Sequence, residues 1–300
     1  MSPPADTRAA AREETAARLL KASAQHSYDP EIDLAWDAPL LDGVYYCSPH
    51  RVSLYGTPLW RRMSEERRVE LSKHEVASVA SIGIWFEVIL MQMLIRHVYD
   101  LKATDQHVQF ALTEVGDECR HSVMFARMIA KFGLEPYPVR RFDHELGRFL
   151  KTVSRGPRVF ASALIVEEVL DALQREAMAD ESIQPLVRMV SRVHVVEEAR
   201  HVRYARDELA RDAGTMSRPM REYTRLVLAR AAYLTSAGLI NPRVYGAVGL
   251  DPVEARAAAR ANPHFHETMR WAARRLVEFF TELDLIGGPS KELWRRAHFI

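Results

Sequence analysis

The sequence predicts an all-α fold, a four-helix bundle with extra helices at its N- and C-terminal ends. Two observations predict it. Apolar residues recur at helical spacing along most of the chain, and no stretch alternates apolar and polar long enough to suggest a sheet. Four of the helical segments are long and bounded by caps, glycines or prolines, which is the number a bundle needs. With 300 residues, 48% of them hydrophobic, the chain can bury a large core. No linker long enough to separate domains interrupts it, so residues 1–300 read as one domain, with the bundle at about 64–212 and capping helices at about 217–285.

The elements follow in order. A polar helical arm at about 8–25 leads into an irregular segment rich in Pro, Asp and Tyr, through "DGVYYCSPHRVSLYGTPLW". Ser64 before "EERRVELSKHEV" is an N-cap with acids in the first turn, and opens the first long helix, about 64–101. Within it "VASVASIGIWFEVILMQMLI", residues 76–95, has the length of a membrane span and a single charge, Glu87. No second such run exists and a lone carboxylate mid-span is costly, so the segment reads as a helix central to the bundle and apolar all round. The second long helix, about 103–132, stops at Gly133, Pro136 and Pro138. A short helix at about 142–154 precedes Pro157, which can open the third, to about 180. Pro185 can open the fourth, to about 212. The remainder reads as two helices with a Pro- and Gly-rich joint.

Composition narrows the partners. Lys and Arg (41) nearly balance Asp and Glu (40), so no overall field draws the chain to nucleic acid or an anionic bilayer, and a small-molecule partner is expected. Cys47 and Cys119 are too few for a disulfide framework, and the N-terminal residues lack an apolar run behind a basic one. A reducing, cytoplasmic location is the expectation.

The chemistry is carried by a repeated motif. "DECRH" places Glu118 and His121 three apart, and "EEARH" does the same for Glu198 and His201. With 25 Glu and 12 His in 300 residues, about one Glu-x-x-His arises by chance, so two that share a preceding acid and an intervening Arg carry weight. Residues three apart on a helix share a face, so each motif aims one carboxylate and one imidazole at a common point. A dinuclear carboxylate bundle uses such a pair from each of two helices and one Glu from each of the other two. Glu87 lies 31 residues before Glu118 and Glu167 lies 31 before Glu198, so the whole set recurs after 80 residues. Glu168 is the rival to Glu167, and the spacing alone favours Glu167. An unpaired buried carboxylate at Glu87 would be forced to bind a proton or a cation, and a metal relieves that strain.

His194 breaks the repeat, because its first-half counterpart is Glu114; both lie one turn before the motif Glu on the same stripe. With Glu198 and His201 it forms an i, i+4, i+7 set, which suggests a third imidazole ligand. Four ionised carboxylates balance two divalent cations, and mixed O and N donors suit iron or manganese rather than a thiolate site. Asp117 and Glu197 are expected to accept the facing histidines' free N–H groups, with Arg120 and Arg200 holding those acids in place, and Glu114 is expected to stand behind the ligands with them.

The paired motifs with upstream glutamates resemble the ferritin-like di-iron oxygenase and reductase superfamily. The H-x3-E-x2-H of the fourth helix is similar to the narrower AurF-like arylamine N-oxygenases. The resemblance covers about 50–212 and extends through "INPRVYGAVGLDP". It implies a ferritin-like bundle and an oxidoreductase, a monooxygenase, with two iron ions, Mn being an option at one site, held by Glu87, Glu118, His121, Glu167, His194, Glu198 and His201. It implies O2 as co-substrate, an external electron donor, a homodimer, and oxidation of an amine, expected to be an arylamine, to a hydroxylamine, nitroso or nitro product in natural-product biosynthesis. A carboxylate-bearing substrate would need a cation, for which Arg243, Arg270 and Arg274 are the candidates. Two alternatives stand: a di-iron or Mn/Fe oxidase performing C–H hydroxylation or desaturation, and a non-catalytic metal-storage bundle. His194 separates the first from N-oxygenation. The residues beyond the fourth helix weigh against the second.

Overall fold

A computed structural model describes residues 5–153 and 157–300. In chain order the helices are α1 (Ala5–Gln25), α2 (Pro58–Arg62), α3 (Glu65–Val98), α4 (Gln106–Lys131), α5 (Arg141–Val153), α6 (Pro157–Ala179), α7 (Pro185–Ala213), α8 (Arg218–Gly238), α9 (Arg243–Ala247), α10 (Pro252–Arg260), α11 (Pro263–Glu282) and α12 (Lys291–Arg296). No strand is formed among the described residues; Tyr45 and Ile183 make one isolated bridge.

The bundle is α3, α4, α6 and α7, packed most closely as the pairs α3–α4 and α6–α7 and joined through α4–α7 and α3–α6. Local chemistry sets the ends. Ser64 caps α3 by accepting from Arg67 N, with Glu65 and Glu66 in the first turn. α4 closes at Gly133, whose φ of +73° lets Leu134 N return to Ile129 O at 3.2 Å, a conformation that a side chain would strain. α3 stops at Val98 and α4 starts at Gln106, inside the predicted limits, because residues 99–105 form a turn closed by Asp105 N on Lys102 O. Gln184, at the N-cap of α7, spends its side chain on Leu41 and Val44, and so ties the irregular segment to the end of the bundle.

The C-terminal part corrects the two-helix expectation. Asp251–Pro252 and Asn262–Pro263 are helix starts rather than breaks: each Asx side chain caps the next turn, on Glu254 N and His264 N, and each Pro sits in the first turn. The joint therefore folds into α9 and α10. α8 and α11 cover α6, and α12 lies on α8. α1 lies along α4 and α7, where Arg12 grips Glu208 with two hydrogen bonds of 2.8 and 2.6 Å.

α3 is not buried all round. Its apolar window has a mean hydropathy of 1.8 and would span a membrane by length and composition, yet only 44% of that window is buried. One face carries Glu87 into the bundle; the outer face leaves Val88 and Ile95 exposed, because no described element covers them.

Candidate metal centre

The i, i+3 spacing of both motifs places Glu118 and His121 on the inner face of α4, and Glu198 and His201 on that of α7. Glu87 from α3 and Glu167 from α6 meet them. With His194 these seven side chains are at most 5% exposed. Four groupings bring one donor atom per residue within 4.8 Å of the others: Glu87 with His121 and His194; Glu167 with His194 and Glu198; Glu118 with His121 and Glu198; and Glu114 with Glu118 and His201.

The two helices lock each other across the cluster. His121 Nε2 lies 2.8 Å from Glu197 Oε2, and His201 Nε2 lies 3.0 Å from Asp117 Oδ2. An ionised carboxylate only accepts, so Nε2 of each ring carries a proton, while Nδ1 faces Glu118 and Glu198, at 3.2 and 3.0 Å within each motif. Arg120 bonds Asp117, and Arg200 lies 3.7 Å from Asp117 and 3.8 Å from Glu197. Two contributions have no signal in the motif: Ser122 Oγ donates to Glu87 Oε2 at 2.6 Å, and Tyr28 N donates to Glu197 Oε1 at 2.9 Å.

Glu167 and Glu168 part company. Glu168 is held by Arg206 Nε at 2.8 Å, away from the cluster, whereas Glu167 faces His194 and Glu198. Glu114 stands among the donor atoms rather than behind them, and its Oε2 has no hydrogen-bond partner.

The electrostatics match a cation site without its charge. Burial raises Glu87 against its contact with His194, raises Glu167 well above the carboxylate range with help from Glu198 and Glu118, and pushes Glu114 up to about 8. Burial would also raise Glu118 and lower His121, but their mutual hydrogen bonding outweighs it: Glu118 is held below the usual range, and His121, also bonded to Glu197, rises to about 10. Five carboxyl groups packed this closely cannot all ionise unaided. Both ring nitrogens of His194 and Oε1 of Glu198 are buried without a hydrogen-bond partner, which is costly unless something else satisfies them. The donor set, carboxylate oxygens with imidazole nitrogens and no thiolate, fits a pair of iron or manganese ions.

A cavity of about 110 Å3 lies about one helical turn from the cluster, with none of the seven candidate ligands in its lining. Gly83, Phe125, Leu170 and Val190 line it, each about one helical turn from Glu87, His121, Glu167 or His194. Phe125 separates it from His194, with ring centroids 5.1 Å apart. Its cation is Arg51, from the irregular segment, which the sequence did not single out. Arg243, Arg270 and Arg274, the expected cations, are exposed and line no described cavity. The helical stripe of α11 turns Thr268 and Met269 inward, which leaves Arg270 and Arg274 on the solvent side.

Uncharacterized proteins of Mycobacterium tuberculosis and Mycobacterium bovis are each 26% identical over 216 residues, 69% of this chain and 63% of theirs, so the chain spans less than two thirds of those relatives. Among solved structures, a variant of an R2-like ligand-binding oxidase with an aerobically reconstituted Mn/Fe cofactor is 12% identical, covers 96% of this chain and 91% of its own, and has a TM-score of 0.41. The model of the p-aminobenzoate N-oxygenase AurF family matches residues 9–284, nearly the whole chain, which therefore belongs to that family.

Proposed function

We propose that the protein is an O2-dependent N-oxygenase that oxidises an arylamine. The observation that carries this reading is His194, fully buried, with neither ring nitrogen hydrogen-bonded, between Glu87 on one side and Glu167 and Glu198 on the other. Two iron ions held by Glu87, Glu118, His121, Glu167, His194, Glu198 and His201 would supply the O2-activating redox chemistry. The chain's own residues do the rest. Glu197 and Asp117 fix the proton on Nε2 of His121 and His201 and leave Nδ1 free to donate an electron pair. Phe125 and Leu170 give the nearby cavity an apolar wall that excludes water and accepts an aromatic ring. The amine then lies within about one helical turn of the cluster, and an external donor supplies electrons.

The test is turnover. Protein loaded anaerobically with Fe(II), given O2, a chemical reductant and a panel of arylamines, is expected to yield N-oxidised products by mass spectrometry. His194→Ala should lose at least tenfold in that yield. Ring- or side-chain-hydroxylated products from wild type, with no N-oxidation, would instead support C–H oxidation.

A further inference from the structure

The cavity near the cluster says which arylamine. Its volume of about 110 Å3 lies below the ~150 Å3 of an apolar cavity that takes one benzene ring, so it has room for no more than a single ring. What surrounds the ring is unusual for a site that would hold a carboxylate. Arg51 is the one cation among the described lining residues, and it is already engaged. Its Nε donates to Glu176 Oε2 at 2.6 Å, its Nη1 donates to Thr268 Oγ1 at 3.2 Å, and its guanidinium lies 3.7 Å over the Trp271 ring. His50 Nε2 lies 2.8 Å from the other oxygen of Glu176. The pairing with Glu176 neutralises the guanidinium and the stacking on Trp271 fixes its plane, so a second anion meets no net positive charge there.

The other charge-bearing lining groups are acids. Glu75 presents a second carboxyl group, 3% exposed, whose oxygens accept from Ser53 N and Ser53 Oγ. One cation against two carboxyl groups gives the wall no net attraction for an anion. Displacing Glu176 from Arg51 would strand a partly buried carboxylate. The cavity does offer an unused acceptor: the side-chain oxygen of Gln174 is buried and has no hydrogen-bond partner. An N–H or O–H of a neutral ligand would satisfy it.

We propose, on the basis of the N-oxygenase reading, that the substrate is a single-ring arylamine without a carboxylate, and that the Arg51–Glu176 ion pair selects against the acid. Glu176 is thus a specificity-determining residue. It occupies the guanidinium that a free acid would need, and releasing it converts the site to one that binds aminobenzoates.

Binding to the metal-free full-length protein tests this without relying on turnover. 4-Aminobenzamide and 4-aminobenzoate have the same shape and differ in charge, and calorimetric titration at pH 7.5 gives both affinities. Wild type is expected to bind the amide at least tenfold more tightly than the acid. Glu176→Gln should bring the acid to within twofold of the amide or better, and adding Arg51→Met to Glu176→Gln should restore the preference for the amide. Equal affinity of wild type for the two ligands, binding of neither, or an unchanged ratio in a folded Glu176→Gln protein would overturn the proposal. If the variants do not fold, the wild-type ratio alone still decides. The two readings fail separately. An amide that binds but is never N-oxidised by iron-loaded protein defeats the N-oxygenase reading and leaves the charge preference standing. An acid that binds tightly and is N-oxidised does the reverse.

Discussion

Glu197 and Asp117 determine what His121 and His201 can offer a metal, because each holds the proton on the far ring nitrogen. Replacing Glu197 with Gln keeps the volume and removes the charge that fixes the tautomer. Anaerobic Fe(II) titration is expected to show affinity reduced about 10- to 100-fold, with an unchanged helical circular dichroism spectrum. These positions were legible from the sequence, since the acid and the Arg accompany Glu-x-x-His in both motifs. The 31-residue spacing also singled out Glu167, for which the structure supplies a physical ground in the Arg206 pair of Glu168. Arg51 and Tyr28 were not legible, because an irregular segment has no period from which to place a side chain. Glu75 offers a pH test at the same scale. Burial raises its carboxyl to about 7 from an ordinary 4.5, so folding takes up a proton between those values. Stability from this group is therefore present at low pH and is lost as pH rises from about 4.5 through 7. Urea unfolding of wild type and Glu75→Gln should diverge by on the order of 3 kcal/mol between pH 5 and pH 8, the variant gaining in relative stability as pH rises. Parallel curves would show that Glu75 does not change its protonation on folding.

At the scale of elements, the long helices are legible because period, caps and prolines agree; in the C-terminal joint Pro and Gly hide two short helices, α9 and α10. Asp251–Pro252 and Asn262–Pro263 show that an Asx–Pro pair starts a helix as readily as it interrupts one. How α5 docks on α3 was also beyond the sequence, since it depends on a glycine that periodicity treats as a weakness. A Cβ on Gly147 would stand 2.6 Å from Trp85 Cζ2 and 3.0 Å from Ile89 Cδ1. Alanine raises helix propensity by about 1 kcal/mol, whereas overpacking costs about 1–3 kcal/mol. Gly147→Ala should therefore lower the thermal unfolding midpoint by a few degrees. Gly116 on α4 is the control, because an added Cβ there meets nothing within 4 Å. Gly116→Ala should be neutral or stabilise by up to about 1 kcal/mol. If both substitutions stabilise, close packing of α5 against Trp85 is not what holds that helix.

At the scale of the whole molecule, the cluster joins four helices through groups that oppose one another without a cation. Glu87, Glu114 and Glu167 are raised, and His121 is held protonated by its acids, so the metal-free fold carries protons where ligands should stand. A metal that binds only the folded chain stabilises it by RT ln(1 + [L]/Kd), about 2.7 kcal/mol at a hundredfold excess over Kd. Binding must also expel those protons, which makes it tighter as pH rises. The sign follows directly: groups whose folded pKa lies above their unfolded value lose protons to the metal, so the metal-induced rise in unfolding temperature should be larger at pH 8 than at pH 6. Calorimetric scans with and without Mn(II), which needs no exclusion of O2, measure this at each pH. Glu167→Gln should shrink the metal-induced rise, while Glu168→Gln, outside the cluster, should leave it intact although it weakens the Arg206 contact in both states. A rise independent of pH, or one lost equally in both variants, would mean that the cation binds somewhere other than between α3, α4, α6 and α7.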